Sequence, residues 1–293
     1  MKYIIITFVI IFSYLNSAFA KCNFRSSDYI DKLSNPSSIS LIEIKIKKNK
    51  KYRKNSFNIL VSKGQAIPLE LKIRFKASVK VHYQFGSCEY SARVRQSGDV
   101  KDHIHYSNNQ ILRSLDVKLN DGNILNAIRF KLYLPETRNS RNEILASLIL
   151  KKVGFISPET FEVRTNVDGN SGIMLFQETT EKELLERRSR REGIIFEGEQ
   201  NLIWLYENYT LFELKNLSLS RVDNISWFKK GANSEKITLK SYAKLQESYL
   251  ESKVSLSDYA IFPNKLRNKI FFNYKYSLLA MNGVHGLKLY NRK

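Results

Sequence analysis

The side chains that could do chemistry lie beside turns and strand ends, and the chemistry that they suit is phosphate binding. Gly98 lies in the run 95–99, where a glycine would let backbone N–H groups approach a phosphate closely. The alternative is that this glycine simply forms a turn. Lys118 lies on the strand-like run 115–119, where it could hold phosphates as a point charge or simply be an exposed lysine.

Glu143 lies in the first turn of a predicted helix, and two roles are open for it. Its carboxylate could pair with Lys118 and orient that lysine. Alternatively, the run 140–143 fits a capping box, in which Glu143 bonds back to the Ser140 backbone. Four further polar residues stand at the ends of later elements: Gln177, Glu178, His285 and Asn291.

The elements that must position these residues are strands in the first part of the chain. Apolar and polar residues alternate along 42–46, 69–75, 79–83 and 92–94, as they do in antiparallel strands with one solvated face. The lysine-rich run 47–54 between them predicts an exposed loop.

Later segments add strands and helices. Strand-like runs at 112–119 and 124–134 flank Asp121-Gly122, a hairpin signal, and runs at 161–165 and 172–177 flank the turn 168–170. Three segments predict helices: 140–153, 179–192 and 254–283. The order of strands, helix, strands and helices predicts an α+β fold.

The charge of the chain is strongly positive and unevenly distributed. Lys plus Arg number 48 against 28 Asp plus Glu, a formal net charge of +20 among 293 residues. Residues 41–80 hold twelve Lys or Arg and two Glu, so about half of the excess lies there. Such a sheet could be an ordinary solvated face or a surface for an acidic partner such as an anionic polysaccharide.

Residues 1–20 predict a signal peptide, because Lys2 precedes an apolar run and Ala18-Phe19-Ala20 fits a cleavage site. An uncleaved anchor is the alternative reading. No second long apolar run follows, so no transmembrane helix is expected after cleavage. We therefore predict an exported protein, periplasmic or secreted. In an oxidising compartment Cys22 and Cys88 would form a disulfide, and two free thiols are the alternative.

Several blocks in order resemble the spore-coat-protein-H (CotH) kinase-like superfamily, and more closely an exported bacterial branch known mostly from uncharacterised proteins. They are RVRQSGDVKDHI (93–104), SLDVKL (114–119), RNSRNEIL (138–145), VGFISPET (153–160), IMLFQE (173–178) and HGLKLYNR (285–292). The resemblance covers roughly residues 90–293. It implies an atypical two-lobed protein-kinase-like fold, here preceded by an antiparallel β-rich region at 21–89.

The resemblance implies transfer of a phosphoryl group from ATP, with Mg²⁺, to hydroxyls of a protein substrate. It gives roles to seven residues. Gly98 would cover the phosphates, Lys118 would hold them, and Glu143 would orient Lys118. Gln177 and Glu178 would lie at the hinge near adenine, His285 would belong to the catalytic loop, and Asn291 would bind the metal.

Two departures from the family pattern leave catalysis open. The loop 282–285 lacks the aspartate that usually serves as base, and the sequence ends at Lys293, before the strand that carries a metal-binding aspartate in the family. We therefore expect a kinase-like region that is truncated at its C-terminus. The alternative is a non-catalytic periplasmic or surface protein that binds an anionic polysaccharide through its basic sheet. Export and the absence of a recognition motif argue against nucleic acid.

Overall fold

Seven strands close into a barrel in this computed structural model, which describes residues 21–107, 110–198, 220–255 and 265–281. The strands of the main sheet are β1 (Lys21–Cys22), β2 (Ile39–Ile46), β3 (Phe75–Tyr83), β4 (Gly86–Gln96), β7 (Leu115–Leu119), β8 (Arg129–Tyr133), β9 (Thr160–Val167) and β10 (Asn170–Glu178). Around the barrel the strand order is β4-β3-β2-β9-β10-β8-β7, and β7 pairs again with β4. Two small hairpins complete the described strands: β5 (Ile104–Ser107) with β6 (Gln110–Arg113), and β11 (Phe196–Gly198) with β12 (Ser220–Val222).

The long strand β4 is what closes the barrel. One of its edges pairs with β3 along its length, from Tyr83↔Gly86 to Phe75↔Val94. Its other edge pairs first with β1 and then, from Ala92 to Gln96, with β7. Every pairing in the barrel is antiparallel except that of β2 with β9, which is parallel.

Apolar side chains fill the barrel because alternate residues of each strand point inward. Ile44, Val79, Val94, Val117 and Phe130 are fully buried in one core cluster. The residues between them on each strand form the outer wall, which carries most of the charge of these strands. The interior is therefore a packed core, and binding by the barrel has to use its outer surface.

The fold class predicted from the family resemblance is wrong. The structure contains a closed barrel with mixed helices and strands rather than a two-lobed kinase-like fold with a preceding β-rich region. The physical reason is that strands on both sides of residue 90 share one sheet and one apolar core. The predicted boundary at 89/90 falls inside β4, and both edges of that strand are hydrogen-bonded.

Seven helices belong to the described residues. They are α1 (Ile30–Leu33), α2 (Asn49–Val61), α3 (Arg141–Lys152), α4 (Lys182–Arg187), α5 (Ile225–Phe228), α6 (Ala232–Ser255) and α7 (Lys265–Ala280). The helix predicted at 140–153 is confirmed by α3. Among the described helices, none has the length and apolarity needed to span a membrane.

Two local predictions were wrong. The run 47–54, expected to be a loop, begins helix α2, which buries Tyr52 and Ile59 on one face while its lysines point outward. The alternation at 69–75 is not a strand before Phe75, because Leu69 and Ile73 are exposed and face no core. Alternation of apolar and polar residues therefore does not produce a strand where the apolar side chains have no core to pack against.

Candidate anion-binding site

Gly98 occupies a position that only glycine fits, for a reason unrelated to phosphate. Its φ is +93°, and a Cβ atom there would lie 1.9 Å from the His103 ring. His103 is itself buried, and its Nδ1 lies 2.8 Å from Ser114 Oγ. The turn that contains Gly98 is thus packed against a histidine, and its predicted role in covering phosphates stays a prediction.

Glu143 and Gln177 are brought together by the structure. The Gln177 amide donates a hydrogen bond of 2.7 Å to Glu143 Oε1, from β10 to the first turn of α3. No capping hydrogen bond from the Ser140 side chain is present, and Ser140 has a positive φ of 51°. Gln177 lies directly opposite Lys131 of β8 in the sheet.

Glu178 points to the other side of β10 from Gln177 and is buried. It pairs with the Arg187 guanidinium and accepts a hydrogen bond from the Glu159 backbone N–H. Burial raises the pKa of Glu178 despite the attraction of Arg187. These contacts tie β10 to α4, and the adenine-side roles of Gln177 and Glu178 stay predictions.

Of the remaining predicted residues, the two cysteines lie in the described structure and the others lie outside it. Cys22 and Cys88 form the predicted disulfide, which fastens β1 to β4. His285, Asn291 and the signal peptide at 1–20 lie outside the described residues.

Mg²⁺ needs free oxygen ligands, and the described carboxylates do not supply a set of them. Among the described residues, no three His, Cys, Asp or Glu side chains lie together as a metal site. Glu143, predicted to orient Lys118, accepts a hydrogen bond from Gln177, and Glu178, predicted to lie near adenine, pairs with Arg187. Binding of ATP and Mg²⁺ stays a prediction, and the predicted metal ligand Asn291 lies outside the described residues.

Lys118 belongs to a row of cations on the outer wall of the barrel, which we call the basic ladder: Lys76, Arg93, Lys118 and Arg129. Lys76 lies directly opposite Arg93, Arg93 opposite Lys118, and Lys118 opposite Arg129. The four residues lie on the adjacent strands β3, β4, β7 and β8. At about 4.8 Å between strands, the row spans about 14 Å.

The first three side chains of the basic ladder are exposed. Within the described part of the chain, Lys76, Arg93 and Lys118 form no ion pair. Arg129 alone is neutralised, by Asp116 and Glu181. Like charges directly opposite each other destabilise a sheet, so this arrangement works against folding.

A second row on the same wall shows the usual arrangement. Lys80 of β3 lies directly opposite Glu43 of β2 on one side and opposite Glu89 of β4 on the other. Opposite charges therefore alternate there, as cross-strand pairing favours. The basic ladder is thus a local departure within one barrel wall rather than a consequence of the overall composition.

Asp116 lies next to the basic ladder, and its buried carboxylate forms ion pairs with several arginines. Its side chain is 1% exposed and lies within 3.0 Å of guanidinium nitrogens from Arg74, Arg95 and Arg129. Burial opposes its ionisation, but Arg129, Arg74 and Arg95 hold the pKa of Asp116 well below its usual range. This carboxylate anchors the arginines and leaves an excess of positive charge on the surface.

A cavity of about 260 Å³ opens at one end of the basic ladder, and we call it the wall pocket. It is lined by Lys47, Lys76, Ala77, Ser91, Ala92, Arg93 and Asn120. Three of these residues are basic and none is acidic. Ala77 and Ala92 are directly paired in the sheet, and both are buried in the apolar core of the barrel.

The sequence showed some of these charges but not their arrangement. The excess in 41–80 includes Lys76 and Lys47, whereas Arg93, Lys118 and Arg129 come from strands farther along the chain. Their alternation with apolar residues was the available signal for a basic outer face. Their alignment into one row depends on strand register, which the sequence alone did not reveal.

No protein-family model matches this chain, and no curated protein matches it either. The resemblance to the CotH kinase-like superfamily therefore stays a prediction.

Proposed function

We propose that the outer wall of this barrel binds an acidic polymer, an anionic polysaccharide, without catalysis. The observation that carries the proposal is the basic ladder, in which every directly opposed residue across four strands is a cation. Cross-strand pairs are worth roughly 0.2–1 kcal/mol each, with an unfavourable sign for like charges. A bound polyanion would turn this repulsion into attraction.

The length of the row suits a chain better than a single small ion. The basic ladder extends about 14 Å across the strands, so an extended acidic chain lying across the strands would meet successive cations. The row beside it contributes further cations in Arg95 and Lys131, while Asp116 holds the arginines in place. The disulfide supports the accompanying proposal that the protein is exported, because such bonds persist in oxidising compartments.

The test compares two triple variants that lose the same charge. The ladder variant carries Lys76→Gln, Arg93→Gln and Lys118→Gln. The control variant carries Lys229→Gln, Lys236→Gln and Lys240→Gln, at exposed positions on or near α5 and α6. Binding of fluorescently labelled alginate, a polysaccharide whose charges are carboxylates, is measured by anisotropy at low salt.

We expect the ladder variant to lose at least about tenfold in affinity, equal to 1.4 kcal/mol, and the control variant to stay within about twofold of wild type. Equal losses in both variants would mean that net charge alone drives binding, and the proposal would fail. Binding should also need no nucleotide. Labelling by Mg-ATP that Lys118→Ala abolishes would instead support the phosphotransferase hypothesis.

A further inference from the structure

We infer that the wall pocket is a specific subsite for a phosphate monoester group. This inference deepens the proposed function, on which it rests, by naming the charged group that the polymer presents at one end of the basic ladder. The pocket shares Lys76 and Arg93 with the basic ladder and adds Lys47, Ser91 and Asn120. A group seated there would be continuous with a chain lying along the row.

The chemistry of the lining favours phosphate over carboxylate. Lys47, Lys76 and Arg93 come from three neighbouring strands or strand ends, and all three line the cavity. A phosphate monoester carries a charge of about −1.5 to −2 and three strong acceptor oxygens at neutral pH. A carboxylate offers only two oxygens and a single charge, which balances three cations less well.

The polar groups at the rim are arranged as donors. The Asn120 amide donates to Ser91 Oγ at 2.7 Å, which leaves the Ser91 hydroxyl hydrogen free to donate elsewhere. The next carboxylate along the chain, that of Asp121, accepts a hydrogen bond from the Ser91 backbone N–H at 2.7 Å. No carboxylate lines the cavity to repel an anion.

The size of the cavity suits one unit of a polymer. The cavity volume is about 260 Å³. A phosphate group with part of its attached sugar fits such a volume, whereas a folded chain does not. The phosphate could belong to a phosphorylated polysaccharide or to a free sugar phosphate, and the chemistry that the pocket recognises is the same for both.

The test uses small ligands of matched size, measured by calorimetry at constant ionic strength. Glucose 6-phosphate is compared with glucuronate, which carries a carboxylate on a similar sugar, and with inorganic phosphate. Asn120→Asp places a carboxylate in the pocket with little change of shape, and Lys47→Gln removes a pocket cation outside the basic ladder. Lys236→Gln is the matched control, because it removes the same charge at an exposed position that belongs neither to the basic ladder nor to the wall pocket.

We expect glucose 6-phosphate to bind at least about tenfold more tightly than glucuronate, with a loss of at least about tenfold in Asn120→Asp and in Lys47→Gln. Lys236→Gln should stay within about twofold of wild type. If inorganic phosphate binds as tightly as glucose 6-phosphate, the pocket recognises the phosphate group alone. If inorganic phosphate binds more weakly than glucose 6-phosphate, the pocket recognises a phosphorylated sugar. Equal binding of glucuronate, or no effect of either pocket variant, would overturn the inference.

Polymer binding separates the two proposals. A phosphorylated mannan should bind wild type more tightly than alginate does, and Asn120→Asp should remove that preference while alginate binding persists. Alginate binding that depends on the basic ladder, without a preference for phosphate, would refute the pocket and leave the proposed function standing. Sugar phosphate binding without any polymer binding would refute the proposed function and leave the phosphate site in the pocket standing.

Discussion

Arg93 and Lys118 lie directly opposite each other on strands β4 and β7, and both side chains are exposed. This pair closes the barrel through the β4–β7 ladder, so two like charges face each other at the seam that completes the fold. Lys76 and Arg129 extend the same row on either side. Stability and binding are therefore expected to oppose each other at this seam.

Lys118→Glu should stabilise the protein and weaken polymer binding. The new carboxylate would lie between Arg93 and Arg129, which converts two repulsive cross-strand pairs into attractive ones. We expect a gain of about 0.5–1 kcal/mol in the free energy of unfolding, measured by urea denaturation, with a loss of alginate affinity.

Lys80→Glu is the matched control for that change. It is the same substitution on the same wall, but Lys80 lies between Glu43 and Glu89, so three carboxylates would then stand in a row. We expect it to destabilise the protein by about 0.5–1 kcal/mol. Equal effects of Lys80→Glu and Lys118→Glu on stability would contradict the charge pattern described for the wall.

Asp116→Asn should destabilise the fold strongly. The amide keeps the shape of the side chain but leaves Arg74, Arg95 and Arg129 without their shared countercharge in a buried setting. We expect a loss of about 3 kcal/mol in the free energy of unfolding. Glu162→Gln, which removes an ion pair with the exposed Arg141, should cost less than about 0.5 kcal/mol. A similar cost for both variants would mean that the arginine cluster contributes no more than a surface pair.

His103 should make the protein less stable in mild acid. Burial lowers the pKa of His103 from its usual 6.5 to about 4, so the folded state keeps the ring neutral over most of this range. Between those two values the unfolded chain binds a proton that the folded protein does not, and stability falls as the pH drops from about 6.5 to 4. The full effect is on the order of 3 kcal/mol.

Urea denaturation across this pH range checks the prediction. The free energy of unfolding of wild type should decrease steadily between pH 6.5 and 4. His103→Gln, which has no group that titrates there, should show a flatter profile even if it is less stable overall. Parallel profiles for the two proteins would rule out His103 as the source of the pH dependence.

Gly98→Ala should be more costly than the same change at other glycines. Its Cβ would collide with the His103 ring, and its φ of +93° is strained for alanine. Gly154 has a similar φ of +94° but open space around it, and Gly193 has neither constraint. Thermal unfolding should therefore show the largest loss of stability for Gly98→Ala. Gly154→Ala should lose about 1–2 kcal/mol, and Gly193→Ala should lose almost nothing. A Gly98→Ala protein as stable as Gly193→Ala would refute the packing described for this turn.

Local features of the fold could be predicted from the sequence, and their assembly could not. The helix at 140–153, the hairpin around the turn 168–170 and the Cys22–Cys88 disulfide are confirmed because each depends on neighbouring residues or on one pair of thiols. Barrel closure depends on β4 pairing with both β3 and β7, which are separated from each other along the chain. The resemblance to a kinase-like family led to the wrong fold class because it gave no information about that second pairing.

The candidate site was foreseen only in part for the same reason. The concentration of positive charge in 41–80 indicated a basic sheet, and Lys118 was singled out as a residue that could hold phosphates. Lys118 lies opposite Arg93 and Arg129 because of the register in which the strands pair. A register shift of one residue would turn each side chain to the opposite face. Sequence alone therefore gave the charges without their geometry.

The salt dependence of alginate binding tests the basic ladder most directly. The dissociation constant is measured at several sodium chloride concentrations for wild type, for the ladder variant and for the control variant at Lys229, Lys236 and Lys240. Exposed charge pairs are screened by salt, so removal of contacting cations should flatten the dependence of log Kd on log salt concentration. We predict a clearly smaller slope for the ladder variant and an unchanged slope for the control variant. The same slope in all three proteins would contradict the claim that the basic ladder holds the polymer.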